Sequence, residues 1–388
     1  MRFDRAVRFS RLAVALAGAG AALALIAVSG CSSDSPAAVV SGRPPGDRLG
    51  IGVAYGDVLP FLSNSQLAAE LNDAVDVGAT WIRVDLAWDD VQPVKGPYSW
   101  TRFDRVVAAA RQRHLSILAL LAYTPSFARP KGCTSNKCGP ADPATFATFA
   151  AAAVRRYAPM GVHDWEIWNE PNSSGFWRPA PDPSQYGELV RLTAAVIHSE
   201  QPKATVLLGS LAAGKLTGIG IPALSFLTQL CADGINRVVN AIGWHPYSYP
   251  QLPTSPDPHN PWNLISKDSP SFESILAKAG TPHLPVWITE YGAPTGGPGP
   301  PATGPKHQPG VFRAYVTPAF QARLARSAVA TAQANPQIAT FFWFTDSDSA
   351  GPATKRIHFF GLRRLDGSPK PAFGALRRAA HMAEGAGG

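Results

Sequence analysis

The chain is short of charge, of cysteine and of long apolar runs. Only 16% of its 388 residues are Asp, Glu, Lys or Arg, while 45% are hydrophobic. That balance excludes a disordered polyelectrolyte, which lacks the apolar side chains to build a core. Four cysteines in this length exclude a small disulfide-stapled scaffold. One apolar stretch stands alone at the N-terminus, which excludes a multi-span membrane protein. No Gly-x-Ser-x-Gly elbow occurs, His163 and His245 have no zinc-type spacing around them, and no Asp/Asn run resembles a calcium loop. Serine hydrolase chemistry and a metal site are therefore not expected, and nothing calls for a cofactor. No repeat period marks a solenoid.

The lone apolar stretch follows a basic start. Arg2, Arg5, Arg8 and Arg11 precede Leu12 to Val28, a run without a charged or polar side chain. It ends in Val28-Ser29-Gly30-Cys31, ahead of Ser32-Ser33-Asp34-Ser35. A charged start, a short apolar centre and small residues before a cut describe an export signal over 1–30. Val-Ser-Gly-Cys resembles a bacterial lipobox, which implies lipidation of Cys31. Residues 31–47, rich in Ser, Pro, Ala and Gly, then read as a tether. The expected location is the outer face of the cytoplasmic membrane or the cell envelope, with membrane contact through the lipid.

The signal also explains part of the charge. The formal net charge is +8. Four arginines and one aspartate leave +3 in residues 1–30, and seven basic residues against Asp366 and Glu384 leave +5 from Lys355 onward. Residues 31–354 are neutral, so the basic balance does not argue for a nucleic-acid partner. Cys133 and Cys138 lie in a loop-like segment and are expected to form a disulfide in an oxidising compartment. Cys231 sits in an apolar helical pattern and reads as a buried thiol.

From residue 48 onward, apolar strand-like runs alternate with helical ones. Strands are expected at 49–54, 81–86, 116–122, 163–168, 205–210, 240–245, 286–290 and 338–344. Helices are expected at 65–78, 102–113, 143–158, 184–200, 222–232, 272–279, 318–334 and 371–382. Eight such pairs predict a (β/α)8 barrel over 48–388 as a single domain. The strands are short, apolar and rich in Val, Ile and Leu, as parallel strands covered on both faces should be. Two Pro-rich segments, 246–271 and 292–310, follow the sixth and seventh strands and read as mobile rims of a binding cleft.

Two carboxyls stand at strand ends. Glu170 lies in Trp165-Glu-Ile-Trp-Asn-Glu-Pro-Asn172, where Pro171 stops the fourth strand. Glu290 closes the seventh strand in Val286-Trp-Ile-Thr-Glu-Tyr-Gly292. In a barrel both fall on one rim. Two carboxyls facing across a pocket are the groups that cleave a glycosidic bond, one protonating the leaving oxygen and the other attacking or guiding water. Glu166 points into the barrel by strand alternation and needs a buried partner such as Arg83. Asp85, Asp89, Asp346 and Asp348 are further candidates for substrate contact.

Trp168-Asn169-Glu170-Pro171 and Thr289-Glu290-Tyr291 resemble the paired motifs of glycoside hydrolase clan A, in particular families 39 and 5. The resemblance implies a retaining glycosidase with Glu170 as acid/base and Glu290 as nucleophile. It implies that Asn169 meets the C2 hydroxyl of the sugar. Arg83, in Trp81-Ile-Arg-Val-Asp85, resembles the clan's strand-two arginine near the nucleophile. His245 and Tyr247, in Trp244-His-Pro-Tyr247, resemble the pair bordering the site, with Tyr247 as donor to Glu290. Trp343, in Phe341-Phe-Trp-Phe344, resembles the aromatic platform under the sugar. Trp88 and Trp177 near strand ends are additional subsite candidates, as are Tyr55, Tyr123 and Tyr291. The implied partner is an oligo- or polysaccharide, acted on by a monomer. A transglycosylase using the same residues and a non-catalytic sugar-binding lipoprotein are the alternatives.

Overall fold

The structure is a computed structural model that describes residues 48–213, 220–304 and 315–385. The expected signal 1–30, Cys31 and the tether 31–47 lie outside the described residues. Eight parallel strands close into a barrel in sequence order, with the last pairing to the first. They are β1 Gly50–Ala54, β2 Trp81–Ala87, β3 Ser116–Ala122, β4 Asp164–Asn169, β5 Thr205–Ala212, β6 Ala241–His245, β7 Val286–Tyr291 and β8 Ile338–Phe344. The helices are α1 Asn64–Asp76, the short α2 Trp88–Val91, α3 Thr101–Arg111, α4 Pro143–Tyr157, α5 Pro183–Glu200, α6 Ala223–Ala232, α7 Phe272–Lys278, α8 Pro318–Ala334 and α9 Pro371–Gly385. This is the expected (β/α)8 architecture. Among the described residues no helix is long and apolar enough to cross a membrane.

Part of the proline content sits at helix starts, where a missing N–H costs nothing. Asp142 caps α4 ahead of Pro143, Asp182 caps α5 ahead of Pro183, and Thr317 caps α8 ahead of Pro318. Each cap side chain accepts from a first-turn N–H that would otherwise lack a partner. Ser63 and Gln66 form a reciprocal capping box at α1.

The barrel interior is apolar low down, with Ala54, Leu118, Leu207, Ala241, Trp287 and Phe342 in one cluster. Above it the filling turns polar. Arg83 of β2, Glu166 of β4, Ser210 of β5 and Thr289 of β7 are all buried there. A larger apolar layer joins the outer strand faces to the helices.

Residues 246–271 are braced from within. Asn260 donates to the carbonyls of Leu252, Pro253 and Ser255, and Asn263 to those of Ser255 and Asp257. Two buried asparagines thus knit the segment together. Of 292–310, residues up to 304 are described. Cys133 and Cys138 form the expected disulfide. Cys231 is a free thiol, half-buried rather than fully so, and burial pushes it up to about 11.

Asp346 and Asp348 follow β8 but serve the scaffold. Asp348 accepts from Lys370 Nζ at 2.6 Å. Asp346 is fully buried, accepts from the Ser347 hydroxyl at 3.1 Å and lies beside Glu70 of α1. Burial, and then the charge of Glu70, push Asp346 well above the carboxylate range, and burial raises Glu70 too. Carboxyl pKa values raised in the folded state stabilise it at low pH, and that contribution is lost as pH climbs from about 4 through the folded values. Asp346→Asn should therefore gain in melting temperature relative to the wild type between about pH 5 and pH 8. The linkage slope is up to about 1.4 kcal/mol per pH unit for one proton. Melts at both pH values check this; a constant difference contradicts the raised Asp346 carboxyl.

Candidate active site

Glu170 and Glu290 both reach the barrel mouth, and irregular backbone puts them there. Strict alternation would turn Asn169 and Glu170 to opposite faces. Trp168 and Glu170 instead adopt left-handed conformations, with φ of 71° and 45°. Such values are rare for residues with a Cβ and mark a position held by its surroundings. The close approach this creates requires glycine on β5. A Cβ on Gly209 would lie 2.2 Å from the Ile167 carbonyl oxygen and 2.3 Å from that of Trp168. On β7 the register against β8 shifts between Ile288 and Tyr291. A bulge of this kind re-aims side chains. Thr289 meets Ser210 inside the barrel while the next residue, Glu290, still reaches Arg83 and Tyr247.

Arg83 organises the floor. Its Nε donates to Glu166 Oε2 at 2.6 Å and its Nη2 to Glu166 Oε1 at 3.2 Å. Nη1 donates to Glu290 Oε1 at 2.6 Å, and Nη2 also to Asn169 Oδ1 at 2.8 Å. Burial alone would lower the guanidinium pKa, but the charges of Glu166 and Glu290 raise it. Glu166 takes further hydrogen bonds from the Ser210 N–H at 3.0 Å and the Ser210 hydroxyl at 2.5 Å. This buried carboxylate is thereby saturated, as a charge removed from water must be.

Glu290 is held ionised. Burial pushes its carboxyl up, but His245, Arg83 and the Tyr247 hydroxyl outweigh that and bring it below the ordinary glutamate value. Tyr247 donates to Glu290 Oε2 at 2.9 Å. Burial and then the charge of Glu290 push the phenol far above its usual range, so it stays a donor. His245 is fully buried, with Nδ1 2.8 Å from Glu170 Oε1 and 3.7 Å from Glu290 Oε2. Glu170 and Glu290 keep 17% and 14% of their side chains exposed while Arg83, Glu166 and His245 are sealed. A ligand arriving at the mouth meets these two carboxyls.

One ligand atom each from Glu170, His245 and Glu290 lie within 4.8 Å of one another. Paired carboxyls about 5–5.5 Å apart leave no room for an intervening water, whereas about 6.5–9.5 Å does. The bound here is between one oxygen of each carboxyl, and it places the two groups face to face at the mouth. The same three groups can in principle ligate a cation. However, Arg83 already neutralises Glu290, and its fixed positive charge opposes a divalent ion there.

Three aromatic expectations fail. Trp343 is fully buried and packs edge-on against Tyr291 in the layer between barrel and helices. Its neighbours Phe342 and Phe344 belong to the interior face, and half-buried Phe344 is the aromatic that β8 carries toward the mouth. Trp88 stacks on Phe149 with ring centroids 5.6 Å apart and donates to Gln92. Trp177 is wedged between Trp168 and Tyr186. Both are core residues. Tyr55 and Tyr291 are likewise buried. Ser210 and Thr289 were missed: a lone hydroxyl in an apolar strand is a weak signal, and only its alignment with Glu166 across the barrel would have revealed it.

Comparison with known proteins agrees with this architecture. No protein-family model matches the chain. It is 26% identical over 242 residues to a beta-xylosidase of Geobacillus stearothermophilus, covering 58% of this chain and 42% of that protein. It resembles the structure of a family 39 glycoside hydrolase from Bacteroides cellulosilyticus WH2 with a TM-score of 0.66 and 24% identity, over 86% of this chain and 64% of that one. It resembles a monomeric beta-xylosidase from Caulobacter crescentus CB15 with a TM-score of 0.62 and 19% identity, over 87% of this chain and 69% of that one. The chain thus spans under half of the curated relative and under two thirds of the first of these structures. At these identities the structural likeness carries the fold.

Proposed function

We propose that the protein is a retaining glycoside hydrolase of the clan A type, with Glu290 as nucleophile and Glu170 as general acid/base. The observation that carries this reading is the pair of partly exposed carboxyls at close spacing, one of them locked onto Arg83. In the first step Glu290 Oε attacks the anomeric carbon while Glu170 gives its proton to the departing glycosidic oxygen. The sugar is then esterified to Glu290. In the second step Glu170, now a carboxylate, takes a proton from water, which attacks the same carbon and frees Glu290. Two inversions give net retention. Tyr247 and Arg83 hold the Glu290 oxygens in place, and His245 orients Glu170.

The substrate proposed is a neutral oligo- or polysaccharide of the cell envelope or surroundings. A relative named a beta-xylosidase makes β-linked neutral sugars the first to try. We further propose that Cys31 carries a lipid and that the barrel works outside the cytoplasmic membrane.

The test uses a panel of dinitrophenyl β-glycosides. The wild type should release the β-anomer first, followed by proton NMR before mutarotation. Glu170→Ala should lower kcat by about 10²–10⁴-fold. Dinitrophenol needs no protonation to leave, so a first-turnover burst should persist and added azide should restore turnover. An α-anomer as first product, or no turnover of any member, overturns the reading.

A further inference from the structure

A second group of charges lines the mouth beside the two carboxyls, and the chemistry above does not use it. Asp85 lies two residues after Arg83 on β2, hence on the same strand face and nearer the C-terminal end. The residue is 8% exposed, and its Oδ1 is buried without a hydrogen-bond partner among the described residues. A buried carboxylate oxygen left without a donor is costly. Glu166, on the same floor, has every such need met within the protein.

Lys137 faces this carboxyl from the disulfide-closed loop. Its ammonium rests on the Tyr123 ring, 2.8 Å from the centroid. The loop is pinned on several sides. The Asn136 side chain donates to Asp89, the Asn136 carbonyl accepts from the Thr124 N–H, and the Lys137 carbonyl accepts from the Arg178 N–H. Burial pushes Asp85 up to about 7 against the attraction of Arg83, and the charges of Asp57 and Glu290 add to the rise. Burial brings Lys137 down to about 8, opposed by Asp85, Asp89, Asp57 and Asp90. Each charge is thus held back from water, and no hydrogen bond joins the two among the described residues.

We propose that Asp85 and Lys137 form a glycone-recognition pair, accepting from and donating to adjacent hydroxyls of the sugar at the cleavage point. The pair would thereby determine which neutral glycone the protein takes. An acceptor and a donor side by side match adjacent hydroxyls of a polyol. Lys137 opposes the ammonium of an amino sugar, and Asp57, Asp85, Asp89 and Asp90 oppose the carboxylate of a uronic acid. This inference rests on the hydrolase reading.

The experiment compares the full-length wild type, Asp85→Asn and Lys137→Met. The probes are the dinitrophenyl glycoside of a neutral sugar that the wild type turns over fastest and its monodeoxy analogues. Each variant should lose about 10–100-fold in kcat/KM on the parent glycoside, the worth of a charge-assisted hydrogen bond. On the analogue lacking the contacted hydroxyl, the loss should shrink to about threefold or less, because the contact is already gone. Melting temperatures confirm that each variant folds. Equal losses on the parent and every analogue would make the pair a structural tie and overturn the proposal while leaving the hydrolase reading intact. No turnover by the wild type would overturn both. If one variant fails to fold, the other decides.

Discussion

Glu290→Gln should leave a folded protein that turns over an activated aryl glycoside at least about 10⁴-fold more slowly than the wild type. The substitution keeps the shape of the side chain and one carbonyl oxygen. That oxygen can still accept from Arg83 or Tyr247, which now bind separate oxygens of Glu290. What disappears is the charge and the second acceptor. An amide cannot form the ester that the first step requires. Binding should suffer less than kcat, since the charge is needed most in the transition state. The pH profile supplies a further check. Glu290 must be ionised to attack, and its carboxyl is held below the ordinary value, so the acid limb of the wild-type kcat/KM should lie on the acid side of the ordinary glutamate range. Residual activity near wild-type level in Glu290→Gln would move the nucleophile elsewhere.

Arg83→Met should be the most damaging change to the scaffold of the site. The guanidinium meets Glu166, Glu290 and Asn169 at once. Removing it leaves Glu166 fully buried with Ser210 as its remaining donor. Breaking a buried ion pair by deleting one partner costs about 3–5 kcal/mol. Activity should fall as well, with a distinct signature: without the guanidinium the Glu290 carboxyl rises, and the acid limb of kcat/KM moves toward neutral pH. The double variant Arg83→Met/Glu166→Met separates the two effects. It should recover the part of the stability lost through Glu166, because that fully buried charge is gone while the partly exposed Glu290 alone stays without Arg83, but none of the activity. Chemical denaturation and pH profiles of both variants test this. Equal destabilisation by the single and double changes would contradict the burial argument.

Much of this was legible in the sequence, for physical reasons that differ by feature. The eight strands read clearly because strands covered on both faces are continuously apolar, so charges inside or at the end of them stand out. Arg83, Glu166, Glu170 and Glu290 were visible for that reason, and alternation alone suggested the Arg83–Glu166 contact. The family resemblance misled at β8, where it pointed to Trp343, which turns outward, while Phe344 turns in as alternation requires. Alternation was silent on Asn169 and Glu170, which share the site because Trp168 and Glu170 bend the strand end through left-handed φ. The bend brings the Ile167 and Trp168 carbonyls so close to β5 that glycine is required at 209, a fit between strands that no local pattern announces. Trp88 and Trp177 looked like rim aromatics by position but fill the helix layer. The pairing of Asp85 with Lys137 was hidden because a loop distant in sequence delivers the lysine. The long segment 246–271, rich in proline, gave no hint that Asn260 and Asn263 would brace it.

The central claim is a covalent sugar on Glu290, and trapping it tests that claim most directly. The full-length protein would be incubated with a dinitrophenyl glycoside carrying fluorine at C2 of the sugar that it turns over best. Fluorine slows both steps by destabilising the oxocarbenium-like transition state, while the good leaving group keeps the first step going. Intact-mass and peptide mass spectrometry should then find one fluoroglycosyl group per chain, esterified to Glu290, and none on Glu290→Gln. Turnover of the parent glycoside with inversion and no adduct, or a label on any other side chain, would contradict the account.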